Sequence, residues 1–138
     1  MDYTMVEEKK LFITSFLNKS KEALEDARIN LENVRLANAL NRIYYAIFYS
    51  VVALGYLENF ITSKHKQLMG WFNRKFIHEE KIFDQSLYDT YKEAFENRQE
   101  SDYTIYSVLD TEEIRINYEN AVVFVKKISE YILANIKD

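Results

Sequence analysis

The chain has 138 residues, enough for one domain with a real core and too few for two. It contains no proline and only two glycines against 48% apolar residues, so the turn punctuation of a β-rich domain is missing and an all-α fold is expected. Its net charge of −4 opposes sequence-independent binding along a nucleic-acid backbone while leaving room for a local basic patch, and the lack of cysteine excludes disulfides and thiolate chemistry.

The N-terminal stretch carries Asp2, Glu7, Glu8, Lys9 and Lys10 where a signal peptide needs apolar residues, so a cytoplasmic location is expected. Eleven tyrosines and nine phenylalanines give a core of large rings, some with hydroxyls that need buried partners.

Helical spacing of Phe12, Phe16, Leu17, Ala23, Leu24, Ala27 and Leu31 predicts a first helix from about Glu7 to Asn30. Asn30 and Asn33 bracket a turn, and Leu36, Leu40, Ile43, Tyr44, Ile47, Val51 and Leu54 then trace a second helix. Its other faces hold Tyr45, Phe48, Tyr49 and Val52, so it should be central, with Gly55 and Asn59 loosening its end. The uncharged run from Ile43 to Leu57 is shorter than the roughly 20 residues that cross a bilayer, and it reads as a buried core helix.

Thr62 and Ser63 can cap a third helix from about Lys64 to Phe76, with Leu68, Trp71, Phe72 and Phe76 facing inward. His78 to Lys81 reads as a polar connection. Ser86 to Asp89 has the form of a capping box opening a fourth helix through about Gln99, with Leu87, Tyr91, Ala94, Phe95 and Arg98 on one stripe. Asp110 followed by Glu113 marks a last helix to about Ile136, whose core face is Ile114, Tyr118, Ala121, Val122, Val125, Ile128 and Ile132. The sum is a single helical domain over residues 1–138, an antiparallel four- to five-helix up-and-down bundle.

Arg42 heads the apolar second helix, so its guanidinium must reach water or find carboxylate, phosphate or carbonyl partners in a cleft. Tyr44 and Tyr45, about 100° apart on the helix, cannot share a face. One should pack inside, and the other can line a cleft beside Arg42 and Tyr49. There is no glycine-rich phosphate loop and no His-Glu-x-x-His helix, and His65 and His78 lie near opposite ends of the third helix, so neither a metal site nor a cofactor is expected. Arg98 reads either as a cation near a helix C-terminus paired with Asp102 or as a cleft residue. Lys64, His65 and Lys66 read as a solvated helix start or as a phosphate site, and Asp102-Tyr103 as a helix-exit turn or as a functional pair.

Taken in order, Asn41-Arg42-x-Tyr44-Tyr45-Ala46-x-Phe48, Thr62-Ser63-Lys64-His65 and Arg98-Gln99-Glu100-Ser101-Asp102-Tyr103 resemble the HEPN family of small bacterial and archaeal helical domains. The resemblance covers nearly the whole chain and is strongest from Ala37 to Tyr103. It implies a bundle that pairs into a homodimer and is often encoded with a minimal nucleotidyltransferase in a toxin-antitoxin operon. Many relatives are metal-independent ribonucleases in which an arginine is followed a few residues later by a histidine, the guanidinium stabilising charge on the phosphate and the imidazole moving protons. Here Arg98 matches the arginine, but Tyr103 stands where the histidine is expected and no histidine follows. A phenol with a pKa near 10 is a poor proton shuttle at neutral pH.

The resemblance therefore implies first a dimeric binding module, partner of a minimal nucleotidyltransferase, presenting Arg42, His65 and Arg98 to a nucleotide or RNA phosphate, with Tyr45, Asp102 and Tyr103 shaping the pocket. In relatives whose nucleotidyltransferase adds adenylate to the toxin the acceptor is a tyrosine close after this arginine, which makes Tyr103 or Tyr106 the modification candidate. The alternatives are an endoribonuclease using Arg98 and Tyr103 as catalytic residues, and a purely structural interaction domain.

Overall fold

The computed structural model describes residues 3–103 and 109–136, with side chains over 6–99 and 109–136. Five α-helices follow in order: α1 (Tyr3–Glu32), α2 (Leu36–Leu57), α3 (His65–Phe72), α4 (Gln85–Tyr103) and α5 (Thr111–Asn135). No strand occurs among the described residues. The third helix continues without interruption into a π-helical stretch, Asn73–Glu79, so His78 and Glu79 belong to a wide helical turn rather than to a polar connection. Lys75 sits in that turn with its ammonium 3.5 Å from Glu58 and 3.6 Å from Glu80, tying the end of α2 to the exit of the turn.

Contacts between residues of falling and rising number set the directions of the helices. Phe12 stacks on Tyr56, Phe16 meets Tyr49, and the buried Ser20 hydroxyl donates to the Ala46 carbonyl at 2.6 Å, so α1 and α2 run antiparallel. The α4–α5 pair is also antiparallel, since one groove joins Leu87 and Thr90 to Val123 and Lys127 while another joins Glu93 and Ala94 to Asn117 and Asn120. The result is an up-and-down bundle of α1, α2, α4 and α5, with α3 and its π-helical extension spanning the gap between α2 and α4. As its composition requires, α2 is central: it packs on each of the other four α-helices. Small side chains let the layers approach, because Ala23, Ala46 and Val125 form a patch of their own where α1, α2 and α5 meet.

The apolar stripes differ from expectation at one position in each of two helices. In α1 the inner position is Ile13, while Phe12 is half exposed and lays its ring on Tyr56. In α5 Phe124 is fully buried and Val122 is not, because a 3.6-residue period passing through Ile114, Ala121 and Ile128 reaches 124 and misses 122. Two caps also differ from expectation. The Thr62 hydroxyl accepts the Lys64 N–H at 3.1 Å as a turn before α3, whose N-cap position, Lys64, has no side-chain cap. Asp84, not Ser86, opens α4, since its carboxylate accepts the Ser86 N–H at 3.1 Å and a helix donor two residues on is within its reach. Asp110 caps α5 through the Glu112 N–H at 2.9 Å. Finally, α4 runs to Tyr103, so Asp102 and Tyr103 lie in its last turn and not in an exit loop.

Gly55 does not loosen the end of α2. It is buried, and the chain closes over it: Phe60 N–H bonds the Gly55 carbonyl at 2.8 Å while Asn59 takes a left-handed φ of 62°. A Cβ on residue 55 would collide with the Phe60 carbonyl oxygen. Phe60 in turn stacks on Trp71 at 4.8 Å, so this reversal sets where α3 begins. Gly55→Ala is therefore expected to cost about 1–3 kcal/mol of unfolding free energy in urea, as an overpacking change, with a shifted Trp71 emission.

Candidate functional site

The residues singled out in the sequence meet where the first half of α2, the start of α3 and the last turns of α4 converge. Tyr44 is the centre. Its ring is wholly buried, and its hydroxyl lies 2.7 Å from Nδ1 of His65, the first residue of α3. Phe48, one turn along α2 from Tyr44, stacks on His65 with ring centroids 4.0 Å apart. The Arg98 guanidinium reaches across from α4 and stands 5.2 Å from both the Tyr44 and Tyr45 rings. Arg42 is 5.2 Å from the Tyr45 ring and donates to Asn41 Oδ1 at 2.9 and 3.2 Å. Two arginines thus share one tyrosine ring, an arrangement worth about 0.5–2 kcal/mol per contact depending on exposure.

Electrostatics follow from this packing. Burial pushes the Tyr44 hydroxyl above its ordinary range, only partly opposed by Arg98, so Tyr44 is a neutral phenol at physiological pH. Burial also lowers the His65 pKa, and the Arg98 charge lowers it further. A neutral imidazole here has two tautomers. If Nδ1 carries the proton and donates to the Tyr44 oxygen, Nε2 is a base; if the Tyr44 hydroxyl donates to Nδ1, Nε2–H is a hydrogen-bond donor. The first tautomer can accept a proton, and an anion placed between His65 and Arg98 would favour the protonated ring, which can give one.

The structure brings Arg42, Tyr45, His65 and Arg98 together. Among the described residues no carboxylate pairs with Arg42, whose partners are Asn41 and Tyr45. The pairing of Arg98 with His65, residues from different helices, is the new element, and Tyr44 and Phe48 complete it. Reading Tyr44 as core was correct for its ring and incomplete for its hydroxyl; the only available signal was that a buried phenol needs a partner. Asp102 and Tyr103 sit within two turns of Arg98 on α4, but their side chains, and all of Tyr106, lie outside the described residues. No group of three or more potential metal ligands occurs among the described residues, and no described helix is long and apolar enough to cross a membrane.

Residues 13–135 match the family model of the HEPN domain. The chain belongs to the HEPN family. It is 40% identical over 96 residues to a UPF0332 protein of Thermotoga maritima, covering 70% of this chain and 72% of that protein. It is also 28% identical to a Methanocaldococcus jannaschii protein named "Putative toxin MJ0142", over 88% of this chain and 82% of that one. A second protein of that organism, "Putative toxin MJ0605", is 31% identical over 86% of this chain and 87% of its own length. Within this HEPN domain the arginine of the fourth helix and a histidine of the third both adjoin Tyr44.

The depressed pKa of His65 has a measurable consequence. Relative to an unfolded value of 6.5, the folded protein resists protonation of this ring, so its contribution to stability is full above about pH 6.5 and declines as pH falls below it. Between about pH 7.5 and about pH 5.5 the wild type is expected to lose more stability in urea than His65→Gln, whose neutral side chain cannot titrate. Equal losses would show that His65 is not held neutral. Tyr44→Phe keeps the ring and removes the hydroxyl, and should move the imidazole NMR titration of His65 measurably from the wild-type curve.

Proposed function

We propose that this protein is a dimeric toxin-like HEPN module of the cytoplasm, the partner of a minimal nucleotidyltransferase, and that it binds a nucleotide or RNA phosphate at Arg42, His65 and Arg98. What supports this reading above all is the convergence of Arg98 and His65 on the buried Tyr44. Two guanidinium groups held over one ring, with a neutral imidazole beside them, form a pre-organised anion site whose cost in side-chain ordering is met on folding rather than on binding. The names of the two Methanocaldococcus jannaschii relatives support the toxin class. The minimal nucleotidyltransferase would regulate the site by transferring adenylate from ATP to the phenol oxygen of Tyr103 or Tyr106, releasing pyrophosphate. Both follow Arg98 closely in sequence, and an added phosphate would compete for the same cations.

A second reading, the metal-independent endoribonuclease, is favoured by one specific observation. His65 is an imidazole next to Arg98, so the proton carrier missing after the arginine is present in space. In that reading Nε2 accepts the proton of a ribose 2′-hydroxyl as its oxygen attacks the adjacent phosphorus, the P–O5′ bond breaks to leave a 2′,3′-cyclic phosphate, and the leaving 5′-oxygen takes a proton from water; Arg98 with Arg42 stabilises the charge that develops on the phosphate oxygens. Tyr103 is not needed as a proton shuttle.

Two assays separate the readings. Single-stranded RNA incubated with the purified protein and a chelator is cut under the second reading, and both Arg98→Ala and His65→Ala abolish the cut. Under the first, RNA or nucleotide is bound without cleavage, and Arg98→Ala weakens binding by about ten- to a hundredfold, the worth of a charge-assisted phosphate contact. If Arg98→Ala changes neither binding nor cleavage while lowering the melting temperature, the protein is a structural interaction domain. Mass spectrometry after co-expression with a minimal nucleotidyltransferase encoded beside this protein should find adenylate on Tyr103 or Tyr106, and the lack of any such gene would count against the partner. A bound partner with every tyrosine unmodified refutes that regulation.

A further inference from the structure

Beside the arginine cluster, and sharing His65 with it, lies a cavity of about 370 Å³ that neither the fold nor the phosphate reading uses. Its walls are Phe16 of α1, Phe48, Val52 and Tyr56 of α2, and Phe60 of the connection to α3. Thr62, Ser63 and His65 give it a polar edge. We infer that this cavity is a base subsite: it takes the purine or pyrimidine ring of the same nucleotide whose phosphate is held by Arg98 and Arg42. The inference rests on the phosphate reading for its ligand and goes beyond it in assigning where the base lies.

Three observations select a nucleobase as occupant. The first is shape and chemistry. Four aromatic rings line the space, and a flat apolar face with a polar perimeter suits stacking plus a few edge hydrogen bonds. Phe16 and Tyr56 already lie nearly parallel, 5.7 Å apart with a 20° angle between planes, so a planar ligand meets an ordered surface. The volume falls in the range of about 300–1,000 Å³ usual for small-molecule sites.

The second observation is charge. Lys19 stands 5.1 Å over the ring of Phe16, a wall of the cavity, and the exposed Lys64 and Lys66 adjoin His65 in sequence, so three cations lie on or next to lining residues in a chain that is acidic overall. An apolar peptide or a lipid tail gains nothing from cations beside its site, whereas a nucleotide does. The third is continuity. His65 lines the cavity and also joins Tyr44 and Arg98, so base and phosphate subsites share a wall.

The single tryptophan provides the readout, because Trp71 stacks on Phe60, a wall of the cavity. The full chain would be titrated with adenosine, uridine, AMP and ribose 5-phosphate, following Trp71 emission and affinity. A base subsite makes AMP bind at least about tenfold tighter than ribose 5-phosphate, with adenosine alone perturbing Trp71. Val52→Phe narrows the cavity from α2 and Ser63→Phe from its exposed edge. Either is expected to erase the AMP advantage while ribose 5-phosphate still binds, and the second variant stands if the first fails to fold.

Equal affinities for AMP and ribose 5-phosphate, with adenosine silent, overturn the base subsite and leave the phosphate reading intact. A base-dependent advantage that survives both variants overturns it too, since the base then lies elsewhere. If the variants alter only the self-association of the protein, a second copy covers the cavity and the inference fails. Conversely, ribose 5-phosphate binding that is indifferent to Arg98→Ala, beside adenosine binding that the cavity variants abolish, retains the base site and removes the phosphate reading.

Discussion

The burial of Tyr44 is the constraint from which the rest of the site follows. A phenol in the middle of the central helix cannot leave its hydroxyl unpaired in the core without a penalty of about 1–3 kcal/mol, and here the partner is Nδ1 of His65. That bond reaches from α2 to the first residue of α3, so it fixes where the short helix starts. The connection between them is tightly determined from both ends: Gly55 lets the Phe60 carbonyl approach, Phe60 stacks on Trp71, and His65 docks on Tyr44 and Phe48. Arg98 then lays its guanidinium 5.2 Å from the Tyr44 and Tyr45 rings, which joins α4 to the same cluster.

This arrangement places opposed demands on His65. Packing and the neighbouring guanidinium disfavour the charged ring, while any anion bound between the two would favour it. A residue poised in this way changes its protonation state when its ligand changes charge, which is the property required of a group that moves a proton during phosphate chemistry. Such tension is consistent with a site shaped for a ligand.

The main lines of the fold were legible in the residue pattern. Absence of proline, long 3.6-residue stripes and the aromatic crowding around Ile43 to Leu57 pointed to a helical bundle with α2 at its centre, and the residues flanking Asp110 marked the last helix. Phe12 and Val122 read as core in the sequence because large apolar residues on neighbouring positions look alike until packing sets the helix phase, and Gly55 and Ser86 read as a loosened end and a cap because the reversal at Phe60 and the reach of the Asp84 carboxylate exist only in the folded backbone. The π-helical turn after Phe72 has no signature in residue spacing, and it holds Lys75 between Glu58 at the end of α2 and Glu80.

For the site, the sequence by itself determined the family resemblance, the cast of Arg42, Tyr45, His65 and Arg98, and the loss of the usual histidine after Arg98, because these are properties of residue type and spacing along one chain. Only the tertiary structure decided that His65 stands by Arg98. The two are 33 positions apart on different helices, and their meeting depends on a hydrogen bond to a third residue, Tyr44, whose ring the sequence could assign to the core but whose hydroxyl it could not aim. Local pattern reports which face of a helix is apolar. It carries no information on which polar atom of a buried ring will find which partner across the bundle, and that pairing is what turned separate residues into a site.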